Sequence, residues 1–475
     1  MKKKYKSDGL LLKVIELIIC IMLVNIAYII ALKYDFMSSF GISQRNFDSF
    51  NSLIPYITSV SIFILLFLNT LNMLYKSSVE ILATMFLSVI LINIGIMAVA
   101  FFGRHFSLPR TIIFQAMLYQ VVLLFISKKI FVMFIKRRRG YKTFMIIGDL
   151  KEKNQVLSKV LGNKHNLDRV LYFIDPTLVS YQEKIKEVQK VFISEAVDKS
   201  IKNEIISICM NEHKSVYIVP ETFEIAIYRS ALIQYSDMPV FCIDALSLSI
   251  EKRIIKRTVD IILSSLGIMV VSPIMIITAI CILVFEGKPI FYKQERVTID
   301  NKRFMIYKFR SMINNAEKDT GAIWANHDDE RVTPIGKVMR RFWIDELPQL
   351  LNVLKGDMSL VGPRPERPKF IEEFNEYIPD FNYRLTVKAG VTGLAQVRGM
   401  YSTTPEYKIK YDLMYIRNSS FIFDMVIILE TVKKIIVGTL RRGENNENKY
   451  KDIKIRYRIK EKKMKGIIKF EYRKK

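Results

Sequence analysis

Four short segments in the second half of the chain carry residue types and spacings suited to phosphoryl chemistry. Lys308-Phe309-Arg310-Ser311-Met312 puts two cations on one side of an extended segment. Arg340-Arg341 stands just ahead of Asp345-Glu346-Leu347-Pro348-Gln349-Leu350. Gly362-Pro363-Arg364-Pro365 follows a short apolar stretch, and Lys388-Ala389-Gly390-Val391-Thr392-Gly393-Leu394-Ala395-Gln396 comes after it. A diphosphate must have its charge neutralised by arginine, lysine or a divalent ion, and the ion takes hard oxygen ligands. Adjacent carboxylates at Asp345 and Glu346 can divide that labour, one attacking phosphorus and one holding magnesium, since carboxylates do form acyl phosphates. Arg364, between two prolines of fixed φ, presents its planar fork with little entropy left to lose. Singly these signals are weak, because most Asp-Glu pairs are solvated helix surface. Their combination in one segment is what points to chemistry.

The elements that must position these residues show in the hydropathy. The chain has 475 residues, half of them apolar, enough for several domains with buried cores. Four apolar runs are long enough to cross a bilayer: 14–32, 53–71, 79–102 and 112–126, the last short enough that it tilts or begins earlier. Lys2, Lys3, Lys4 and Lys6 precede the first, and Lys128, Lys129, Lys136, Arg137, Arg138 and Arg139 follow the fourth. The positive-inside rule therefore puts both ends of a four-helix transmembrane bundle, residues 1–140, in the cytoplasm, with only Arg104 and Arg110 running against it. The first run lacks a small-residue cleavage site and reads as an anchor.

Residues 141–250 change texture to short β-branched and aromatic runs (144–147, 170–174, 191–193, 216–219, 240–243) alternating with polar helical stretches. That rhythm reads as a parallel, Rossmann-like α/β domain. Its first strand ends in Gly148-Asp149 without a G-x-G-x-x-G, so a structural or regulatory module is favoured over nucleotide binding. Lys252, Arg253, Lys256 and Arg257 then precede an apolar stretch, about 258–286, that contains Ser272-Pro273 and is followed by Lys288, Lys293, Arg296, Lys302 and Arg303. Cations on both sides disfavour a full crossing, and proline bends helices. A helix that enters one leaflet and returns, or a Pro-kinked spanning helix, both fit. The basic tail, 441–475, alternates in Ile453-Lys454-Ile455-Arg456-Tyr457-Arg458-Ile459-Lys460 and reads first as a solvated tail, then as an edge strand or lipid contact. Cys20, Cys209, Cys242 and Cys281 are dispersed, as are His105, His165, His213 and His327, so neither a disulfide frame nor a thiolate metal site is indicated. The formal charge of +26 calls for an acidic partner. Anionic inner-leaflet lipid is favoured over nucleic acid, because the cations flank apolar runs and no nucleic-acid module is legible.

Residues 256–440 resemble the catalytic domain of the bacterial sugar transferases, the monotopic phosphoglycosyl transferase superfamily, on the motifs quoted above. The whole chain is similar to the long-form undecaprenyl-phosphate sugar phosphotransferases that start exopolysaccharide, capsule or O-antigen synthesis. The resemblance implies a mainly α catalytic domain, 251–440, whose re-entrant membrane helix breaks at Ser272-Pro273. It also implies transfer of a sugar phosphate from a UDP-sugar to undecaprenyl phosphate at the cytoplasmic face of the bacterial inner membrane, with Mg2+. Asp345 would attack the phosphate bearing the sugar, and Glu346 would ligate magnesium. Lys308, Arg310, Arg340 and Arg364 would hold phosphate oxygens. Pro363 and Pro365 would frame Arg364, and Gln396, Asp412 and Asp424 match further family positions. Three departures stand out: Ala389 replaces the usual proline of Lys-Pro-Gly, Thr298 a glycine, and Met400 a frequent arginine. Met400 bears on the identity of the sugar donor more than on the reaction.

Two other function classes are weighed by the same residues. A non-enzymatic scaffold of polysaccharide assembly predicts a damaged Asp345-Glu346 pair, and the pair is intact. A transporter predicts internal charges and repeats in the spans, which hold few charges and no evident repeat. The central module beside a membrane bundle is compatible with a homodimer.

Overall fold

The computed structural model describes residues 4–38, 44–74, 76–102, 109–162, 168–243, 246–313, 329–378, 380–400, 403–437, 459–464 and 466–472. The histidines at 105, 165 and 327, and residues 441–458 of the basic tail, lie outside the described residues.

Four helices open the chain: α1 (Lys4–Ser38), α2 (Gln44–Phe67), α3 (Ser78–Phe102) and α4 (Arg110–Arg139). Each holds a stretch long and apolar enough to cross a membrane. The second ends four residues before the expected Leu71, where Asn69 turns the chain at a φ of 51°. The fourth is 30 residues long, so the apolar run 112–126 is the middle of a longer helix whose last turns carry the cations. The helices share a core that includes Val24, Tyr28 and Leu32 of α1, Leu53 and Ile57 of α2, Ile92 and Ile96 of α3, and Ala116 and Leu124 of α4. Several polar groups inside it satisfy one another. The Tyr28 hydroxyl donates to Asn93 Oδ1 at 2.5 Å, and Asn93 Nδ2 donates to Gln120 Oε1 at 2.7 Å. Glu16 and Lys128, both buried, form an ion pair between α1 and α4. In an apolar surround each such group left unmet would cost several kcal/mol.

The next strands and helices are β1 (Thr143–Ile147), α5 (Lys153–Leu161), β2 (Arg169–Ile174), α6 (Gln182–Glu187), β3 (Lys190–Ile193), α7 (Lys199–Asn211) and β4 (Ser215–Ile218). They follow the alternating rhythm read from the sequence. After α8 (Thr222–Ile227) the chain departs from it: β5 (Ala231–Tyr235) and β6 (Met238–Cys242) pair with each other as a separate antiparallel hairpin. The run 240–243, expected as another strand of the α/β sheet, belongs to that hairpin.

Helix α9 (Ile250–Phe285) leads into the antiparallel pair β7 (Phe291–Val297) and β8 (Arg303–Phe309), then α10 (Pro334–Arg341) and α11 (Gln349–Lys355). Strand β9 (Ser359–Val361), α12 (Pro368–Tyr377) and β10 (Gly390–Thr392), parallel to β9, follow. Helices α13 (Leu394–Arg398), α14 (Pro405–Asn418) and α15 (Phe421–Val437) complete this part. Its core gathers Val361, Phe370, Phe374, Phe381, Leu413, Tyr415 and Ile427.

Helix α9 does not stop at Pro273. Helical structure runs through it, so the expected break is not an interruption of the helix. Pro273 lacks the N–H that would bond the Met269 carbonyl, and the Ser272 hydroxyl donates to that carbonyl at 3.0 Å instead. The Ser-Pro pair thus carries its own repair of the lost backbone bond.

The chain ends in a hairpin, β11 (Ile459–Met464) and β12 (Ile467–Tyr472), turned at Gly466 with a φ of 69°. Strand β12 pairs antiparallel with β2, which pairs parallel with β1, giving a mixed sheet of order β11-β12-β2-β1-β3-β4. The described end of the tail is therefore an edge hairpin and not a solvated tail. Ile459, Ile468 and Phe470 are buried with Phe144, Leu157 and Phe173, while the lysines of β11 face outward and blunt the sheet edge. By contacts the chain divides into two compact units. One comprises Met1–Phe192, Val197–Tyr217 and Tyr450–Lys475, and the other Ile193–Ala196 and Ile218–Lys449.

Candidate active site

The second unit assembles the expected acidic pair from a strained turn. Thr333 caps α10 by accepting from Gly336 N, and Pro334 takes the first helical position, where its missing N–H costs nothing. The helix ends at Arg341, and Trp343 then adopts a left-handed φ of 58°, rare for a bulky residue. That reversal starts the single turn Ile344–Glu346, which carries Asp345 and Glu346 into the fold ahead of α11.

Asn352 fixes α11 against β8. It is wholly buried, donates to the Met305 carbonyl at 2.8 Å and accepts from Tyr307 N at 3.0 Å. Lys308, the next residue on β8, is thereby held facing the acidic turn, and its Nζ reaches Glu346 Oε1 at 2.8 Å.

The second cation arrives from the far side. Residues 362–364 follow β9 so closely packed on the segment entering β10 that a Cβ on Gly362 would sit 2.3 Å from the Lys388 carbonyl oxygen, which is why glycine stands there. Beyond it, Arg364 Nη2 donates to Glu346 Oε1 at 2.8 Å, while its Nη1 stands 3.5 Å from Oε2. Pro363 and Pro365 are buried on either side. The Arg364 side chain stays 43% exposed, so its fork still faces incoming anions.

These contacts separate the two carboxyls electrostatically. Asp345 is 8% exposed; burial and then the neighbouring Glu346 charge push it up to about 6. Burial also pushes Glu346 upward, but Arg364 and Lys308 together outweigh it and hold that carboxylate well below its usual range. One acid is thus a permanent anion clamped by two cations, and the other a buried, more basic carboxylate that ionises near neutrality. Burial lowers Lys308, opposed by Glu346, whereas Glu346 raises Arg364 further.

Other expected residues go elsewhere. The spacing of Lys308 and Arg310 predicts a shared face and a shared task. Instead, Arg310 donates to the Glu286 and Gly287 carbonyls at 2.7 and 2.9 Å, tying down the end of α9. Arg340 Nε donates to Ser311 Oγ at 3.0 Å, although its charge still acts on Asp345 and favours the ionised carboxylate. Asp412, 1% exposed, pairs with Arg384 at 2.9 Å. Asp424 accepts from Lys256 of α9 at 2.6 Å and lies 2.9 Å from the Tyr415 hydroxyl. Gln396 of α13 donates to the Val391 carbonyl of β10 at 3.0 Å. Arg384, Arg296 and Glu366, packed behind Arg364, carry no comparable signal in the sequence. They stand in no motif, and Arg296 reads there only as a basic flank.

A magnesium ion can be tested against these side chains. Among the described residues no three acidic, histidine or cysteine side chains converge as a cage. Glu346 Oε1 is taken by two cations, but among the described residues Oε2 has only the long Arg364 contact and keeps a lone-pair direction open. One carboxylate with room beside it fits an ion that binds chiefly through substrate phosphates and retained waters.

Residues 251–438, from α9 through α15, match the family model described as bacterial sugar transferase. Over 199 residues the chain is 37% identical to the exopolysaccharide production protein PSS of Rhizobium leguminosarum bv. phaseoli, covering 98% of that protein and 40% of this chain. The chain belongs to the bacterial sugar transferase family. It is also similar to the UDP-glucose:undecaprenyl-phosphate glucose-1-phosphate transferase of Escherichia coli K12, 36% identical over 47% of this chain and 49% of that one. The UDP-N-acetylgalactosamine-undecaprenyl-phosphate N-acetylgalactosaminephosphotransferase of Aeromonas hydrophila is 44% identical over 39% of this chain and 44% of its own. The matched segment spans about half the length of these two relatives. Every site residue of this sugar transferase described above lies within the segment that the family model matches.

Proposed function

We propose that this bacterial sugar transferase moves a sugar phosphate from a UDP-sugar to undecaprenyl phosphate, at the cytoplasmic face of the inner membrane, through a covalent intermediate on Asp345. The observation that carries the reading is the division of labour in the acidic pair: Glu346 locked by Lys308 and Arg364, and Asp345 buried beside it with raised basicity. An ionised Asp345 oxygen would bond to the phosphorus that bears the sugar as the bond from that phosphorus to the bridging oxygen breaks, and UMP leaves with that oxygen. An oxygen of undecaprenyl phosphate would then bond to the same phosphorus, releasing the Asp345 carboxylate and giving undecaprenyl-diphosphate-sugar. Arg364 and Lys308 would balance the charge of the donor's phosphates, with Arg364 exposed enough to shift from Glu346 to substrate. Glu346 would hold magnesium, which neutralises diphosphate charge when bound.

The membrane elements suit a substrate whose tail stays in the bilayer. Residues at both ends of α9 contact the catalytic fold: Asp260 accepts from Leu360 N at 3.0 Å, and Ile282 is fully buried with Phe309 and Met339. Such double attachment supports a helix bent at Pro273 that enters and leaves by the same leaflet. Helices α1 to α4 would then be a separate transmembrane bundle, and the outward cations would face anionic inner-leaflet lipid. A homodimer remains compatible with this arrangement.

The test is incubation of membranes holding the full chain with undecaprenyl phosphate and a panel of UDP-glucose, UDP-galactose and their N-acetylated forms, reading UMP and the mass of the lipid product. Release of UMP with one donor, abolished by Asp345→Ala, is expected. No UMP with any donor, while a known transferase turns over alongside, refutes the reading.

A further inference from the structure

Four backbone polar groups in residues 361–364, leading to the Arg364 guanidinium, are each held from outside. Gly362 N donates to the Thr392 carbonyl at 2.9 Å, and Gly390 N donates to the Pro363 carbonyl at 2.8 Å. Side chains hold the other two. The Tyr415 hydroxyl lies 3.0 Å from the Val361 carbonyl, and Arg384 Nη2 donates to the Arg364 carbonyl at 2.9 Å. Tyr415 and Asp412 stand three residues apart on one face of α14, and Asp412 pairs with Arg384. One helix face therefore grips both ends of the segment.

Arg384 is placed for this task and for no direct contact with solvent or a diphosphate. It is 3% exposed, stacks 4.9 Å from the centre of the Phe381 ring, and has Glu366 within 3.8 Å on its other side. A buried guanidinium needs its charge balanced, and the carboxylates of Asp412 and Glu366 do that while the Arg364 carbonyl accepts from Nη2. Its one backbone acceptor among these contacts belongs to Arg364.

We infer that Arg384, oriented by Asp412, is a positioning residue for Arg364, setting the backbone from which the exposed guanidinium reaches the donor's phosphates. The inference rests on the proposed transfer reaction, and it reassigns Asp412 from substrate contact to the support of Arg384. A catalytic group displaced by about 1 Å can lose about 100-fold in rate.

The experiment is a double-mutant cycle on the full-length protein in membranes, with UMP release as readout. Arg384→Met alone should lower kcat/KM about 100-fold. Added to Arg364→Ala it should cost almost nothing more, because the residue it positions is already gone. Arg384→Lys, which keeps the charge but loses the fork, should fall between Arg384→Met and the unmutated chain. If Arg384→Met fails to fold in thermal unfolding, Asp412→Asn, of the same shape, replaces it in the cycle. Losses that multiply in either double mutant overturn the inference, since a residue acting only through Arg364 cannot add to its removal. No UMP from the unmutated chain with any donor sinks the transfer reading and this inference together. Turnover by the unmutated chain with multiplying losses sinks the inference alone.

Discussion

Replacing Glu346 by glutamine should move the pH at which Asp345 becomes ionised, and in a direction that only the proposed pairing predicts. Asp345 titrates near 6 because burial and then the Glu346 charge oppose its ionisation, while Lys308, Arg340 and Arg364 favour it. Attack on phosphorus requires the carboxylate, so kcat/KM in the unmutated enzyme should rise with pH through about 6. The Glu346→Gln substitution keeps the shape of the side chain and removes its charge. Burial of Asp345 is unchanged, the repulsion disappears, and the three cations remain, so the limb must shift to lower pH. At an effective dielectric near 20, two like unit charges about 6 Å apart repel by about 3 kcal/mol, or about two pH units. The exposed Arg364 admits solvent that screens part of it, so a shift of about one to two units is expected. Total rate should fall sharply as well, because Lys308 and Arg364 lose their anchor. The assay is residual UMP release against pH for both proteins. A limb that stays in place, or moves upward, would show that Asp345 is not the titrating nucleophile or that Glu346 does not govern it.

Three further substitutions test the scaffold. Asn352→Leu strands the Met305 carbonyl and Tyr307 N inside the fold and should cost about 2–4 kcal/mol, seen as a lower midpoint in thermal unfolding. Phe470→Asp places a charge among Phe144, Phe173 and Ile468, and should make the α/β sheet open to limited proteolysis at temperatures where the unmutated chain resists. Glu16→Ala leaves Lys128 buried without its partner and should destabilise the helices by about 3–5 kcal/mol, whereas Glu16→Ala with Lys128→Ala should be milder, as read by unfolding in detergent.

The sequence disclosed whatever depends on local pattern. Apolar runs marked the four N-terminal helices, and β-branched runs marked β1 to β4, because hydropathy and period act within a dozen residues. Pairings between distant segments were not legible. Nothing in Ile453 to Lys460 says that the chain's end returns to β2, roughly 290 residues earlier, since an alternating basic run suits an edge strand and a solvated tail alike. The same limit governed the cations. Lys308 and Arg310 have the same parity on one extended segment, yet the strand ends between them, so Lys308 meets Glu346 while Arg310 caps α9. Pro273 foretold a lost hydrogen bond correctly, but not that Ser272 would replace it and let the helix continue. Arg384 had no signal, because its meaning comes from a carbonyl twenty residues before it and a carboxylate on another helix.

The most direct measurement is the mass of acid-quenched enzyme after brief exposure to its UDP-sugar without lipid acceptor, followed by peptide mapping. A sugar phosphate bound to the peptide containing Asp345, absent from Asp345→Asn and discharged when undecaprenyl phosphate is added, is the predicted result. A burst of UMP with no adduct on that peptide, or an adduct on a different side chain, would contradict the account.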